Sequence, residues 1–106
     1  MLKKKQRLTK KMFDHVFSTG VRKHSPTIQL IHVPGEIFYG AAVVGKKVHK
    51  KAVDRNKLRR RMYAALYRVY KEESLTGTYI LVAKSPIKEV STKDLIDELK
   101  QVLLLK

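Results

Sequence analysis

Two patterns overlap between Asp54 and Tyr70, and together they restrict the fold more than any other feature of the chain. Leu58, Met62, Ala65, Leu66 and Val69 recur at helical spacing and line one face of a helix. Lys57, Arg59, Arg60, Arg61 and Arg68 fall mainly outside that stripe. Such a helix has one face to pack on a sheet, and the rest must stay in water or against a polyanion. Asp54 is placed to cap its start. With 106 residues there is room for one hydrophobic core, so residues 1–106 are read as a single domain built around this helix.

The remaining segments supply its packing partners. Residues 1–9 carry Lys3, Lys4, Lys5 and Arg7 and no acid, and are read as a basic arm, flexible until it meets an anion. Thr9 can cap a short helix in which Met12, Phe13, Val16 and Phe17 form one apolar stripe, with Gly20 as the stop. After a turn near Ser25-Pro26, residues 27–33 read as a strand. Pro34-Gly35 marks a turn, and residues 37–45 form a second β region, close enough to the first to make a hairpin. Thr76-Gly77 closes the helical unit. Residues 78–84 (TYILVAK) have a continuous apolar centre, the pattern of a strand buried on both faces. Ser85-Pro86 breaks the chain. Ser91 and Asp94 then resemble a capping box before a last helix bearing Leu95, Ile96, Leu99, Val102 and Leu103. The expected class is α+β, in the order α-β-β-α-β-α: three helices on a small sheet of about four strands, with the second β region open to a split.

Charge narrows the function. Twenty-four Lys and Arg against nine Asp and Glu leave a net charge of +15 at pH 7. A folded domain with this excess repels itself unless a polyanion sits beside it. Nucleic acid, an anionic membrane and acidic proteins are the candidate partners. A membrane is disfavoured, because the basic helix lacks a strongly apolar, Trp-bearing insertion face and no apolar run approaches the roughly 18 residues of a span. Residues 1–11 are basic but lack the apolar stretch of a secretory signal, so the cytoplasm is the expected compartment. Without cysteine there is no disulfide or thiolate chemistry. Glu72, Glu73, Asp94, Asp97 and Glu98 fall on helical surfaces, with no pair evidently placed for acid–base work. His15, His24, His32 and His49 lack metal-ligand spacing. No catalytic or metal-binding residue is expected in the protein itself.

Residues 46–61 (KKVHKKAVDRNKLRRR) hold nine cations and one acid, Asp54. Arg forks onto phosphate oxygens and stacks on bases, Lys adds point charge, and Asn56 both donates and accepts. A Lys/Arg-rich stretch alone is a weak signal, since many helices carry a solvated basic face. Here the cluster is dense and adjoins a packable stripe, which points to nucleic acid.

Within it, Arg55-Asn56-Lys57-Leu58-Arg59-Arg60 resembles the Arg-Asn-Arg motif of bacterial ribonuclease P proteins, and Lys46-Lys47 and Ala52-Val53 stand where that family has a Lys-Lys strand end and an Ala-Val step. Leu2-Lys3-Lys4, Arg7-Leu8, the Phe13, Val16, Phe17, Gly20 series, residues 79–84 and the Leu-rich last helix are similar to further family features, in order and spacing. The resemblance implies an α+β fold whose parallel strands are joined by a left-handed crossover, where general rules favour a right-handed one. It implies that the chain is the protein subunit of an endoribonuclease that frees the mature 5′ end of tRNA. Lys46, Lys47, Lys50, Lys51, Arg55, Asn56, Lys57, Arg59 and Arg60 would bind the catalytic RNA. Phe13 and Phe17 would line a cleft for the single-stranded 5′ leader of precursor tRNA, with Lys10 and Lys11 adding positive field. Unpaired bases stack on aromatics with little sequence preference; the alternative is that both Phe are ordinary core residues. The RNA, with bound magnesium, would perform the hydrolysis, and neither a protein-held cofactor nor a protein oligomer is required. Tyr63 and Ala64 depart from the family's frequent Arg and Glu, Lys57 replaces a common Arg, and His49 stands near a common Gly. A ribosomal-RNA-binding structural protein without a nuclease role is the alternative reading, and a protein-only nuclease is disfavoured by the missing carboxylate cluster.

Overall fold

The computed structural model describes residues 8–104; most of the basic arm expected over residues 1–9 therefore lies outside the described residues. Three helices and a four-stranded mixed sheet follow one another as α1 (Lys10–Thr19), β1 (Val21–His24), β2 (Ile28–Val33), β3 (Tyr39–Val43), α2 (Ala52–Glu73), β4 (Thr78–Ala83), a 3-10 turn (Ser85–Glu89) and α3 (Thr92–Leu104). Thr9 caps α1 as its position suggests, its hydroxyl accepting from the Met12 amide at 3.2 Å. Gly20 ends the helix where the chain passes so close to β2 that a Cβ would lie 2.6 Å from the Ile31 Cγ2 atom.

The sheet order is β1-β2-β4-β3; β4 pairs antiparallel with β2 and parallel with β3, and α2 connects the two parallel strands. The expected hairpin between residues 27–33 and 37–45 does not form. β4 inserts between them, because a strand with apolar side chains on both faces leaves least apolar surface in water when it sits in the middle of the sheet. The hairpin turns instead at Ser25-Pro26 and pairs β2 with β1. β1 is the strand that residue patterning passes over: VRKH is exposed apart from the half-buried Lys23, as befits a charged edge that resists pairing with other chains. The start of α2 also differs from expectation. Its N-cap is Lys51, without a side-chain cap, and Asp54 lies in the first turn, where its charge complements the helix dipole. The helix stops at Ser74, a left-handed residue (φ +52°), shortly before Thr76-Gly77.

Each face of the sheet has its own apolar layer. Leu30, Leu81, Met62, Leu66, Ile87, Leu95 and Leu99 are fully buried between the sheet and α2, α3 and the 3-10 turn. On the opposite face Val16 of α1 seats on Ile31, Ala41 and Ile80, with Leu8, Phe13, Val33, Val43 and Val82 half-buried around them. Each fully buried aliphatic chain contributes about 1.5–3 kcal/mol, so both layers are substantial for a chain this short.

Polar locks fix how the layers meet. Glu98 of α3 accepts from the Thr27 amide at 3.0 Å, from the Thr27 hydroxyl at 2.7 Å and from the Ser25 hydroxyl, tying the last helix to the β1–β2 turn. Arg61 reaches from α2 to the Val90 carbonyl at 2.5 Å, next to the start of α3. Glu72 bridges Arg68 (2.5 Å) and Lys100 (2.6 Å) across the α2–α3 surface, where exposure keeps its contribution small. His32 stacks on Tyr79 with ring centroids 4.4 Å apart, and its Nε2 is buried without a hydrogen-bond partner among the described residues. Burial, and secondarily the charge of Lys23, hold its pKa below the usual value of 6.5.

Glu98→Ala leaves the buried Thr27 hydroxyl and amide unmatched and is expected to cost about 2–4 kcal/mol in urea unfolding. His32 is favoured neutral in the fold, so the unfolded chain takes up its proton first as pH falls. Stability held above about pH 6.5 is therefore expected to decline below it, and His32→Gln to flatten that part of the stability–pH curve.

Candidate nucleic-acid interface

The cation-rich segment is held by devices that act at different points along it. After β3 the chain turns at Gly45, whose carbonyl accepts from the amides of Val48 (3.1 Å) and His49 (3.4 Å), and Val48 is buried in the core. Arg55, in the first turn of α2, donates through Nη1 to the carbonyls of His49 (3.1 Å) and Lys50 (2.7 Å). The buried valine and the arginine clamp pin the loop from both sides, leaving Lys46, Lys47, Lys50 and Lys51 exposed on a fixed backbone. At His49 it is the backbone carbonyl, not the imidazole, that takes part in this clamp.

The second device lies on the helix. The Asn56 side-chain oxygen accepts from Arg59 Nη1 at 2.7 Å, and the Asn56 carbonyl from Arg60 Nε at 3.4 Å. Residues advance about 100° each around a helix. Arg55 and Arg59 therefore flank the loop side, half-buried, while the exposed Lys57 and Arg60 face outward, with the exposed Asn56 between the two groups. Every residue of the expected set is thus solvent-facing to some degree, on one loop and the helix that leaves it. Arg61, equally cationic in sequence, is engaged with the start of α3, while Arg68 pairs with Glu72 one turn further along its own helix. The diversion of Arg61 depends on a tertiary contact that no local pattern encodes.

Across the sheet, α1 presents a second surface. Phe13 and Phe17 stack with centroids 5.6 Å apart and planes 22° from parallel. The two rings differ in burial: Phe13 is half-buried against the α1-side core, whereas Phe17 is 39% exposed. Arg22 of β1 donates to the Phe17 carbonyl, and its guanidinium carbon lies 4.8 Å from the Phe17 ring centroid. Lys10 and Lys11 are exposed in the first turn of α1, which has no acid to offset them or the positive end of the helix dipole. Strand register sets the half-buried Gln29, Val82 and Val43 in one row beside the buried Ile31–Ile80–Ala41 row that α1 covers. Arg22 escaped the sequence reading because nothing there marked residues 21–24 as a strand.

Among the described residues no three His, Cys, Asp or Glu side chains are grouped so as to hold a metal ion. None of the described helices is long and apolar enough to cross a membrane.

Known proteins share this family and fold. The Ribonuclease P family profile matches residues 2–105. The ribonuclease P protein component of a Nitratiruptor species is 34% identical over 95 residues, covering 90% of this chain and 85% of that one. The fold superposes on the Staphylococcus aureus RNase P protein with a TM-score of 0.74 at 21% identity, over 92% of each chain. For the RNase P protein from Thermotoga maritima the TM-score is 0.72 at 18% identity, over 92% of this chain and 94% of that one. A basic α+β fold with a dense run of cations on one loop and the helix that leaves it is of the class suited to a polyanionic partner. The chain belongs to the ribonuclease P protein family.

Arg55→Lys keeps the charge but loses the two-carbonyl clamp. Amide hydrogen exchange over residues 45–51 is expected to accelerate roughly tenfold, as for the loss of one charged hydrogen bond, with exchange in β4 unchanged.

Proposed function

We propose that this chain binds the catalytic RNA of ribonuclease P through the loop and first turns of α2, and the 5′ leader of precursor tRNA through the groove beside α1. The observation that carries this reading is the pinned cationic loop: Lys46, Lys47, Lys50 and Lys51 held out by Val48 and Arg55, continued by Asn56, Lys57, Arg59 and Arg60. Cations on a fixed backbone meet a folded RNA without first losing loop entropy, and each phosphate they neutralise releases counterions. On the far side of the sheet, an exposed ring backed by a second ring suits unpaired bases of any sequence. Placing the two RNAs on opposite faces lets the protein hold one against the other.

Hydrolysis is assigned to the RNA, with magnesium held by the RNA supplying the metal chemistry. This chain's residues contribute positive field that offsets phosphate repulsion between enzyme RNA and substrate. The complex would work in the cytoplasm, with no protein oligomer required.

The test is precursor tRNA cleavage at low magnesium with cognate ribonuclease P RNA. The protein is expected to stimulate the RNA and to be inactive alone. Lys57→Ala with Arg60→Ala is expected to weaken assembly and make the salt dependence of binding shallower by roughly one to two units of slope. Absence of stimulation would favour a ribosomal-RNA-binding role, and cleavage by protein alone would favour a nuclease.

A further inference from the structure

We propose that Arg22 and Phe17 form a single-nucleotide clamp, in which Phe17 takes an unpaired base and Arg22 the phosphate beside it. The inference rests on reading the α1 groove as the leader site, and adds to it a residue outside the family motifs.

Three observations converge on the pair. Phe17 is one of the few large apolar side chains exposed among the described residues, and the core offers no reason for its exposure, since Val16 beside it already fills the seat on Ile31, Ala41 and Ile80. Arg22 stands on the α1-facing side of β1, opposite Ile31 in the register, which places it level with the end of the helix. Its guanidinium is fixed twice, by the Phe17 carbonyl and by the Phe17 ring 4.8 Å away. A guanidinium has five N–H donors. The carbonyl takes donation from one nitrogen, Nη2, the side chain is exposed, and no carboxylate pairs with it among the described residues. Donors therefore remain for an anion, beside an aromatic surface, on a side chain that is already ordered.

A base and its own phosphate are separated by one sugar, so adjacent π and guanidinium surfaces match a single nucleotide of an unpaired strand. Neither contact depends on base identity, since every base has a π face and every linkage a phosphate. The clamp would therefore select for a strand that is unpaired and long enough to reach the end of α1. It would not select for a sequence. The rival role for Arg22 is purely structural: closing the carboxyl end of α1 by satisfying a last-turn carbonyl.

The experiment compares holoenzymes carrying wild-type protein, Arg22→Ala, Arg22→Lys and Phe17→Ala. Dissociation constants are measured for precursor tRNA with a leader of several nucleotides, for a single-nucleotide leader and for mature tRNA, each over a range of salt. Arg22→Ala is expected to weaken the long-leader substrate roughly five- to tenfold, leave mature tRNA within about twofold, and reduce the salt slope of the long-leader complex by about 0.7. Arg22→Lys is expected to keep the slope while losing part of the affinity, because charge survives without the planar fork. If Phe17→Ala abolishes leader discrimination and Arg22→Ala does not, the clamp is wrong and the groove reading survives. If neither variant alters discrimination, the groove reading fails along with the clamp. A lower melting temperature for Arg22→Ala, with equal effects on all three substrates, would reduce Arg22 to a helix-end cap and overturn the proposal.

Discussion

The double-sided burial of β4 is the constraint on which the rest of the molecule depends. Tyr79, Leu81 and Ala83 point into the layer formed with α2 and α3, while Ile80 points towards α1, so the strand needs cover on both faces. Covering it fixes the sheet order, separates β2 from β3, and puts α1 across the sheet from α2. The two surfaces proposed to meet RNA are therefore kept apart by the apolar core itself. One face of α2 is consumed by Leu58, Met62, Ala65, Leu66 and Val69, and its cations have nowhere to go but outward or sideways.

Which way each cation goes decides what it does. Arg61 turns sideways to the Val90 carbonyl and the Thr92 hydroxyl at the start of α3, and Arg68 pairs with Glu72 along α2. Arg55 turns back on the loop before it. Lys57 and Arg60 stay exposed. Charge density alone makes these residues look equivalent, yet packing gives them different surroundings: a contact with the start of α3, a pair within the helix, a clamp on the preceding loop, or open solvent. The Lys10–Lys11 pair is placed against the dipole of its own helix, a local cost that makes sense where an anion arrives. Arg55 and Asn56 have the complementary task, positioning charges rather than only adding to them.

Much of this is legible in the sequence, for reasons that vary by element. The stripe of α2, the Thr9 cap, the doubly apolar β4 and the Leu-rich α3 follow from periodicity and capping, which are local. β1 is not legible, because Val21–His24 is an exposed, charged edge without alternation. The misplaced hairpin has a related cause: Pro34-Gly35 is a valid turn signal, but the competition between β3 and β4 for the flank of β2 is settled by burial across the whole sheet. The lock from Glu98 to Thr27 spans 71 residues of sequence, and the Arg22–Phe17 contact needs β1 in place first. At the site, the family motif locates the cationic residues by number, but their division into clamps and exposed charges arises only from packing.

The central claim is that two faces of one small sheet serve two different RNAs. Hydrogen-exchange footprinting of the protein tests it directly, first with catalytic RNA alone and then with precursor tRNA added. Protection is expected over residues 46–60 in the first step, and new protection around Phe13, Phe17 and β1 only in the second. Protection of the α1 groove by the catalytic RNA alone, with residues 46–60 unchanged, would contradict it.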